Sequence, residues 1–217
     1  MWFLPTYGRP KHIDALMQSP GGVPSNLRLF LTESDPARAQ YAAFPFQRTI
    51  VPAESLCDVL RAVTVLFPNE AFYGFLTDDQ TPHTPHWWEL LAAVAEDRFI
   101  ATSTSPGSTA ALSGVPCFGG GLVRAMGSLV PTPGMNHNGT DVVWRQIGDQ
   151  IDLIRVVPDV LIYERHPIHG NAPMDATYER GAFNQTFGAR DAAALDAWAT
   201  SPLRDAMNQR IHEFLFR

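Results

Sequence analysis

The chain has 217 residues, 45% of them hydrophobic and 18% charged, so it can bury a sizeable core and is not a disordered polymer. The formal net charge of −6 excludes a general basic coat and argues against strong non-specific binding to nucleic acid, although a local basic groove stays open. Cys57 and Cys117 are far apart in sequence and belong to no metal-spaced pair, so both are expected to be buried thiols.

The start of the chain does not predict targeting to a membrane. The apolar run MWFL ends at Pro5, which makes it too short for the apolar region of a signal peptide. No stretch approaches the roughly 18 consecutive apolar residues that a membrane span needs. We therefore expect a cytoplasmic protein with no membrane partner.

The first half of the chain alternates short apolar runs with helical patterns. Strands are predicted at 1–4, 27–32, 48–52 and 71–77, and helices at 11–18 and 53–66. In the second of these helices the apolar residues recur at three-four spacing, as one buried face requires. A third helix is expected to be capped by Thr84, with Pro85 at its first position.

The second half continues this alternation. The pattern predicts a strand at 98–103, a loop rich in Ser, Thr and Gly, and then a strand, a glycine turn and a short helix within 115–127. A helix is predicted to begin at Thr140 or Asp141, and one or two strands are predicted in 154–167. A long loop follows, and then helices from about 189 that are interrupted at Pro202. Strands alternating with helices indicate an α/β fold with a mainly parallel sheet. Ligands of such sheets lie at the carboxyl ends of the strands, so the turns PTYGRP and TDDQ are predicted to share one edge.

Two adjacent carboxylates, Asp78 and Asp79, follow the most apolar predicted strand. Like charges repel each other, and carboxylate oxygens are the ligands that Mg²⁺ and Mn²⁺ prefer, usually with phosphate oxygens completing the shell. A divalent cation between this pair and a diphosphate would relieve the repulsion. A turn with two solvated charges explains the same residues, so both interpretations stay open.

Three other segments carry residues suited to chemistry. His166 and His169 follow a predicted strand, where an imidazole can bind a transition metal or serve as an ordinary hydrogen-bonding loop residue. Asp141 stands at a helix start, where a carboxylate either caps the helix or accepts a proton as a general base. The glycines at 119–121 allow either a close approach of the backbone to a substrate or a plain tight turn.

Taken in chain order, these segments resemble the GT-A glycosyltransferases, in particular compact family-two-like enzymes of phage and bacterial genomes. MWFLPTYGRP is similar to their first strand and nucleotide-binding turn, with Gly8 in place of the usual Asn. YGFLTDDQTP resembles the strand that carries their DxD-like motif, GTDVVWRQIG the segment of the acidic base, PDVLIYERHP the late strand whose His completes metal coordination, and APMDATY the segment after that strand. The second strand departs from the family because it ends in LTESDP, which leaves a base contact by Glu33 or Asp35 open.

The resemblance implies a fold and a domain division. The fold would be α/β and GT-A-like, with a Rossmann-like, mainly parallel mixed sheet flanked by helices. Residues 1–180 would form the domain that binds the nucleotide sugar and catalyses transfer. Residues 181–217 would form a helical extension packed on it, and this part matches no segment of the family.

The resemblance also implies roles for individual residues. The residues that would line the nucleotide sugar are Pro5, Thr6, Tyr7, Arg9, Asp78, Gly119 and Gly120, the last two toward the acceptor side. Asp79 and His166 would hold Mn²⁺ or Mg²⁺, with His169 as the alternative ligand, and Asp141 would be the general base.

The implied function is an inverting, metal-dependent transfer of a sugar from a nucleotide-diphosphate sugar, a UDP-sugar above all, to an acceptor hydroxyl. The acceptor stays open between a glycan, a small molecule and a hydroxymethylated base in phage DNA, in which last case the protein would work in the host cytoplasm. Two alternatives are a nucleotidyltransferase, for which PTYGRPKH is a poor phosphate loop, and a non-catalytic module that binds a nucleotide or sugar.

Overall fold

The computed structural model of the chain describes residues 1–106, 112, 114–181 and 183–216, so part of the loop expected after 98–103 lies outside the described residues. The strands within these residues are β1 (Trp2–Pro5), β2 (Arg28–Thr32), β3 (Gln47–Val51), β4 (Phe72–Phe75), β5 (Gln80–Pro82), β6 (Ile100–Thr104), β7 (Pro116–Gly119) and β8 (Ile154–Glu164). The helices are α1 (Pro10–Met17), α2 (Leu56–Leu66), α3 (Trp87–Ala95), α4 (Gly120–Met126), α5 (Thr140–Gln150), α6 (Ala176–Arg180), α7 (Gln185–Ala199) and α8 (Pro202–Leu215), with 3₁₀ turns at Arg38–Ala43 and Pro167–His169.

The strands form one sheet in the order β3-β2-β1-β4-β7-β6-β8-β5. Strands β1 to β4 pair in parallel, β7 lies antiparallel between β4 and β6, β8 pairs in parallel with β6, and β5 runs antiparallel to β8. The expected mainly parallel mixed sheet flanked by helices is therefore confirmed. Its topology brings the carboxyl ends of β1, β2, β4 and β8 to one edge.

Both faces of the sheet are covered. In β1, Trp2 and Leu4 pack into the core under α1 and α3, while Phe3 packs into the core under α2, α4, α5, α7 and α8. Neighbouring side chains of a strand point to opposite faces, so a strand buried on both sides is apolar without interruption. That is why MWFL has no polar alternation.

The predicted start of the third helix is wrong in detail. Helix α3 begins at Trp87 and not at Pro85, because His86 adopts a left-handed conformation with φ of 55° at the cap position. A short strand separates the acidic pair from this helix. Residues 80–82 first form β5, a strand too short to stand out from the sequence pattern.

The C-terminal helices belong to the same core as the sheet. Pro202 is the first residue of α8, which Ser201 caps by accepting the Arg204 N–H, so proline separates two helices as expected. Trp198, Met207 and Ile211 are at most 2% exposed and pack with sheet residues such as Phe118. The functional division at residue 180 stays a prediction.

Both cysteines are buried free thiols, as expected. Across the part of the chain that the structure describes, no helix combines the length and apolar character needed to cross a bilayer.

Candidate functional site

A cavity opens at the carboxyl ends of β1, β2 and β4. Its walls come from the turn after β1, the turn after β4, the start of α2, and the segments around 137, 166 and 177–187. The residues that line it are Pro5, Thr6, Tyr7, Arg9, Phe30, Thr32, Glu54, Ser55, Leu56, Val59, Thr77, Asp78, Asp79, His137, His166, Thr177, Tyr178, Arg180, Gly181 and Phe187. The predicted proximity of the turns PTYGRP and TDDQ is confirmed, since the Thr6 hydroxyl donates to Asp78 Oδ2 at 2.6 Å.

Strand pairing brings Asp79 and His166 to the same wall although they lie far apart in sequence. In the antiparallel ladder of β5 and β8, Gln80 is opposite Glu164. One residue beyond this pair, the Arg165 N–H donates to the Asp79 carbonyl at 2.8 Å. The register of these two strands therefore places the acidic turn beside the His166 loop.

Asp78 is paired with a positively charged side chain of the same protein, Arg9. Arg9 Nη1 lies 3.0 Å from Asp78 Oδ1, and its Nη2 lies 2.6 Å from Asp175 Oδ1. The guanidinium also stacks over the Tyr178 ring, with 3.8 Å from Cζ to the centroid. Burial, and then the charge of Asp79, raise the pKa of Asp78 above its usual value, while Arg9 and Thr6 oppose that rise. Arg9 lines the cavity as expected, but its charge is used within the protein.

Asp79 is in a different situation from Asp78. Its side chain accepts a hydrogen bond from the Thr77 hydroxyl and lies 3.2 Å from the Tyr178 hydroxyl, whose one proton it shares with the Arg165 carbonyl at 2.7 Å. Among the described residues no Lys, Arg or His forms an ion pair with it. A 9% exposed carboxylate that faces a cavity with only neutral donors is chemically suited to a hard divalent cation.

His166 lies beside Asp79, and its ring packs edge-on to Tyr178 at 4.8 Å. Its Nδ1 accepts the Ile168 N–H at 3.2 Å, which caps the following 3₁₀ turn. Burial lowers the pKa of His166, so the ring is neutral at pH 7. For Nε2 to bind a cation, the ring proton would have to lie on Nδ1, so metal binding and this capping contact exclude each other. His169 is not a lining residue, and its Nε2 is 3.6 Å from Glu164 Oε2.

The described residues contain no group of three or more His, Cys, Asp or Glu side chains arranged to hold a metal ion. The donor set of the cavity still suits a divalent cation in part, with one buried carboxylate from Asp79 and one imidazole from His166 once it releases Ile168. Oxygens of a bound diphosphate would then have to complete the coordination shell.

The segment 175–181 was expected to be loop, and it forms one wall of the site. Asp175 caps α6 by accepting the N–H groups of Thr177 and Tyr178, and it also binds Arg9. The Thr177 hydroxyl donates to the Tyr7 carbonyl at 2.8 Å, and Arg180 stacks on the Tyr7 ring at 3.7 Å. The one feature of the sequence that could have predicted α6 is Asp175, because Asp is a favoured residue at the N-cap of a helix.

His137 is a lining residue that the sequence pattern did not reveal. It lies in the loop before α5, without periodicity or a motif to mark it. Burial lowers its pKa to about 4, so the imidazole is neutral at pH 7. Gly181 leaves room for it, since a Cβ there would lie 2.7 Å from His137 Cε1.

Two predicted groups are not among the lining residues. Asp141 is half-buried in the first turn of α5, four residues after His137. Gly119 and Gly120 lie at the opposite edge of the sheet, where Gly119 pairs with Phe72 at the start of β4. Added Cβ atoms would lie 2.3 Å from the Asp97 carbonyl carbon and 2.0 Å from the Glu70 carbonyl oxygen, respectively. These glycines therefore allow close backbone packing away from the cavity, and their contact with a nucleotide sugar stays a prediction.

No protein-family model and no curated protein sequence matches the chain. Solved structures do match it. A mannosyltransferase from Pyrobaculum calidifontis in complex with GDP-Man and Mn²⁺ superposes with a TM-score of 0.54 at 13% identity, over 99% of this chain and 80% of its own. Staphylococcus aureus TarS superposes with a TM-score of 0.52 at 13% identity, over 99% of this chain and 43% of its own, so this chain spans less than half of TarS.

A CMP:2-keto-3-deoxy-manno-octonic acid synthetase in complex with CTP also superposes, with a TM-score of 0.51 at 12% identity, over 86% of this chain and 98% of its own. Identities this low establish a fold and leave activity to the site. The chain has the GT-A fold, which glycosyltransferases share with a nucleotide-binding synthetase.

Proposed function

We propose that the protein is an inverting, metal-dependent glycosyltransferase that moves a sugar from a nucleotide-diphosphate sugar, a UDP-sugar above all, to an acceptor hydroxyl. The observation that carries this proposal is the cavity in which the turn after β1, Asp79 and His166 meet in a GT-A fold. The mannosyltransferase structure with GDP-Man and Mn²⁺ supports it by analogy of fold.

The nucleotide would occupy the side of the cavity formed by Pro5, Thr6 and Tyr7. Tyr7 and Arg180 already form a stacked pair there, and Arg180 Nη2 donates to the Glu54 carbonyl at 3.2 Å across the cavity. A planar base can exchange with or extend such a stack. Asp78 and Arg9 would form part of this wall as a buried ion pair. Because they neutralise each other, they would present little net charge to the ligand.

The diphosphate would lie toward Asp79 and His166, which would hold Mn²⁺ or Mg²⁺. A bound divalent cation would offset the negative charge that grows on the departing diphosphate. The Thr77 hydroxyl orients the Asp79 carboxylate by donating to one of its oxygens, and the Tyr178 hydroxyl, which also donates to the Arg165 carbonyl, contacts the other. His166 would turn its Nε2 toward the cation as it releases the Ile168 N–H.

Asp141 would act as the general base. It would take the proton of the acceptor hydroxyl while that oxygen attacks the anomeric carbon from the face opposite the diphosphate. The new C–O bond forms as the bond to the diphosphate breaks, which inverts the anomeric centre. Among acceptors, the net charge of −6 favours a glycan or small molecule over a hydroxymethylated DNA base.

A nucleotidyltransferase is the second candidate, and one observation favours it. The CTP-bound synthetase is matched over 98% of its length, so this fold at this chain size also suits an enzyme that binds a nucleoside triphosphate. Such an enzyme would bind CTP or another triphosphate in preference to a nucleotide sugar. A non-catalytic module would bind a nucleotide or sugar without turnover.

A thermal-shift panel separates these candidates. UDP, GDP and CDP, their sugars, and CTP are each tested with and without MnCl₂. We expect one nucleotide sugar at 100 times its Kd to raise the free energy of unfolding by about 2.7 kcal/mol, and only when Mn²⁺ is present. Preferential stabilisation by CTP would favour the second candidate, and metal-independent binding without turnover would favour the module. Turnover is then measured with glycan, small-molecule and 5-hydroxymethylcytosine DNA acceptors.

A further inference from the structure

Helix α7, the first of the two long helices at the end of the chain, contributes a buried carboxylate next to the site. Asp191 is 2% exposed, although a lone ionised carboxylate is costly to bury. In the described part of the chain no cation forms an ion pair with it. Its partners must therefore come from elsewhere.

These partners are the amides of one short loop. Asp191 Oδ1 accepts the Asn136 N–H at 2.6 Å and Asn136 Nδ2 at 3.1 Å. Asp191 Oδ2 accepts the N–H groups of His137 at 2.9 Å and Asn138 at 2.6 Å. Three consecutive backbone donors thus point at one carboxylate, an arrangement that binds an anion strongly.

The loop that Asp191 binds contacts α2 at one residue and lines the cavity at the next. The Asn136 carbonyl accepts the Cys57 N–H at the start of α2, at 2.9 Å. The next residue, His137, lines the cavity together with Asp79 and His166. On its other side, the His137 ring lies next to Gly181, where an added Cβ would be 2.7 Å from His137 Cε1. The imidazole therefore lies between Gly181, which has no side chain, and its own backbone, which is hydrogen-bonded to Asp191.

We propose that Asp191 is a positioning residue that holds His137 in the cavity, and that His137 contacts the diphosphate or the sugar of the donor. This inference rests on the proposed function and deepens it, because it makes the C-terminal helices part of the donor site. A neutral imidazole offers one donor and one acceptor nitrogen, which suits a sugar hydroxyl or a phosphate oxygen. Phe187, on the first turn of the same helix, lines the cavity as well.

The first test needs no nucleotide. Asp191→Asn replaces one acceptor oxygen by an NH₂ group that faces backbone N–H donors. We expect amide hydrogen exchange at 136–138 to become at least about tenfold faster. Asp196→Asn, an exposed change on the same helix, is the matched control and should leave exchange unchanged. Unchanged exchange in Asp191→Asn would overturn the attachment of this loop to α7.

The second test is a double-mutant cycle on donor binding, measured by calorimetry with UDP-glucose and with GDP-mannose in MnCl₂. Asp191→Asn and His137→Ala should each weaken binding about tenfold, and the double variant should be no weaker than His137→Ala alone. A purely structural role for Asp191 predicts multiplied losses of about 100-fold. Multiplied losses, or normal binding by His137→Ala, would overturn the proposal.

Gly181→Ala keeps the inference testable if Asp191→Asn does not fold. Its methyl group would displace the His137 ring from the opposite side while Asp191 stays intact. Donor binding should fall about tenfold while the amides at 136–138 stay protected, and unchanged binding would count against His137. If the wild type binds no nucleotide sugar of the thermal-shift panel, the proposed function and the donor contact both fail, while hydrogen exchange still decides the attachment of the loop.

Discussion

At the scale of single residues, the adjacent carboxylates Asp78 and Asp79 have different partners. Asp78 is paired with Arg9 at 3.0 Å, whereas Asp79 contacts two neutral hydroxyls. The repulsion between them is thus relieved on one side by the protein. On the other side, the proposed function would place a divalent cation against Asp79.

Asp79→Asn should remove Mn²⁺-dependent donor binding and transfer, because an amide keeps the shape of the side chain but loses its charge. We expect nucleotide binding in MnCl₂ to weaken about 100-fold, as the loss of a charged interaction implies. Calorimetry with and without MnCl₂ measures this loss. Asp152→Asn, at a side chain 93% exposed, is the control, and retained turnover in Asp79→Asn would refute the metal assignment.

Arg9→Met should destabilise the fold by about 3–5 kcal/mol, since it leaves Asp78 and Asp175 without their cation. Urea unfolding measures the change. Adding Asp78→Asn should recover part of the loss, because the buried carboxylate that Arg9 neutralises is then absent. If Arg9→Met is as stable as the wild type but binds nucleotide poorly, Arg9 acts on the ligand and not on its own fold.

Asp141→Asn should leave donor binding intact while it removes transfer, because a general base acts only on the acceptor proton. Donor affinity comes from calorimetry and turnover from release of the nucleoside diphosphate. Asp149→Asn, in the last turn of the same helix, controls for helix charge. An active Asp141→Asn variant would rule this residue out as the base.

At the scale of elements, the glycines between β7 and α4 serve packing. Gly120 donates its N–H to the Ala71 carbonyl at 2.8 Å, at the amino end of β4 and away from the cavity. A glycine run is compatible with a substrate site or a turn, and the direction of β7 favours the turn. Because β7 runs antiparallel to β4, its carboxyl end lies at the edge opposite Asp78.

Gly120→Ala should therefore lower stability by about 1–3 kcal/mol, the cost of overpacking, and leave donor affinity unchanged once the variant is folded. Gly188→Ala is the matched control. This position lies inside α7 with no neighbour nearer than 3.9 Å to an added Cβ, so the change should stabilise by about 0.4–1 kcal/mol. A donor affinity that falls in folded Gly120→Ala would restore these glycines to the site.

At the scale of the whole molecule, the helices after residue 184 complete one core with the sheet. Removing residues 184–217 would expose the surface that Trp198, Met207 and Ile211 cover. Each buried side chain of this size contributes about 2–5 kcal/mol, and their sum is comparable with the roughly 5–15 kcal/mol that stabilises a typical domain. We expect the truncated chain to show no cooperative thermal transition by calorimetry. A soluble truncation with a sharp transition would instead support a separable extension.

The sequence predicted much of the fold because its strongest signals are local. The continuous apolar run at 71–77, the alternating pattern at 27–32 and the three-four spacing of 53–66 each specify an element without help from distant residues. The strand β5 and the helix α6 were missed, since three and five residues carry too little pattern. The predicted start of α3 was wrong because His86 adopts a left-handed backbone conformation that cannot be predicted from its residue type.

By itself, the sequence determined the alternating α/β order, the turn PTYGR and the acidic pair after an apolar strand, because each depends on residues close together in the chain. Only the tertiary structure decided which of the site residues become neighbours. Packing brings Arg9 to Asp78 and the His137 backbone to Asp191, and the register of β5 and β8 brings the Asp79 turn to the His166 loop. Pairings of this kind depend on which elements become neighbours in the fold, and a local sequence pattern does not specify that.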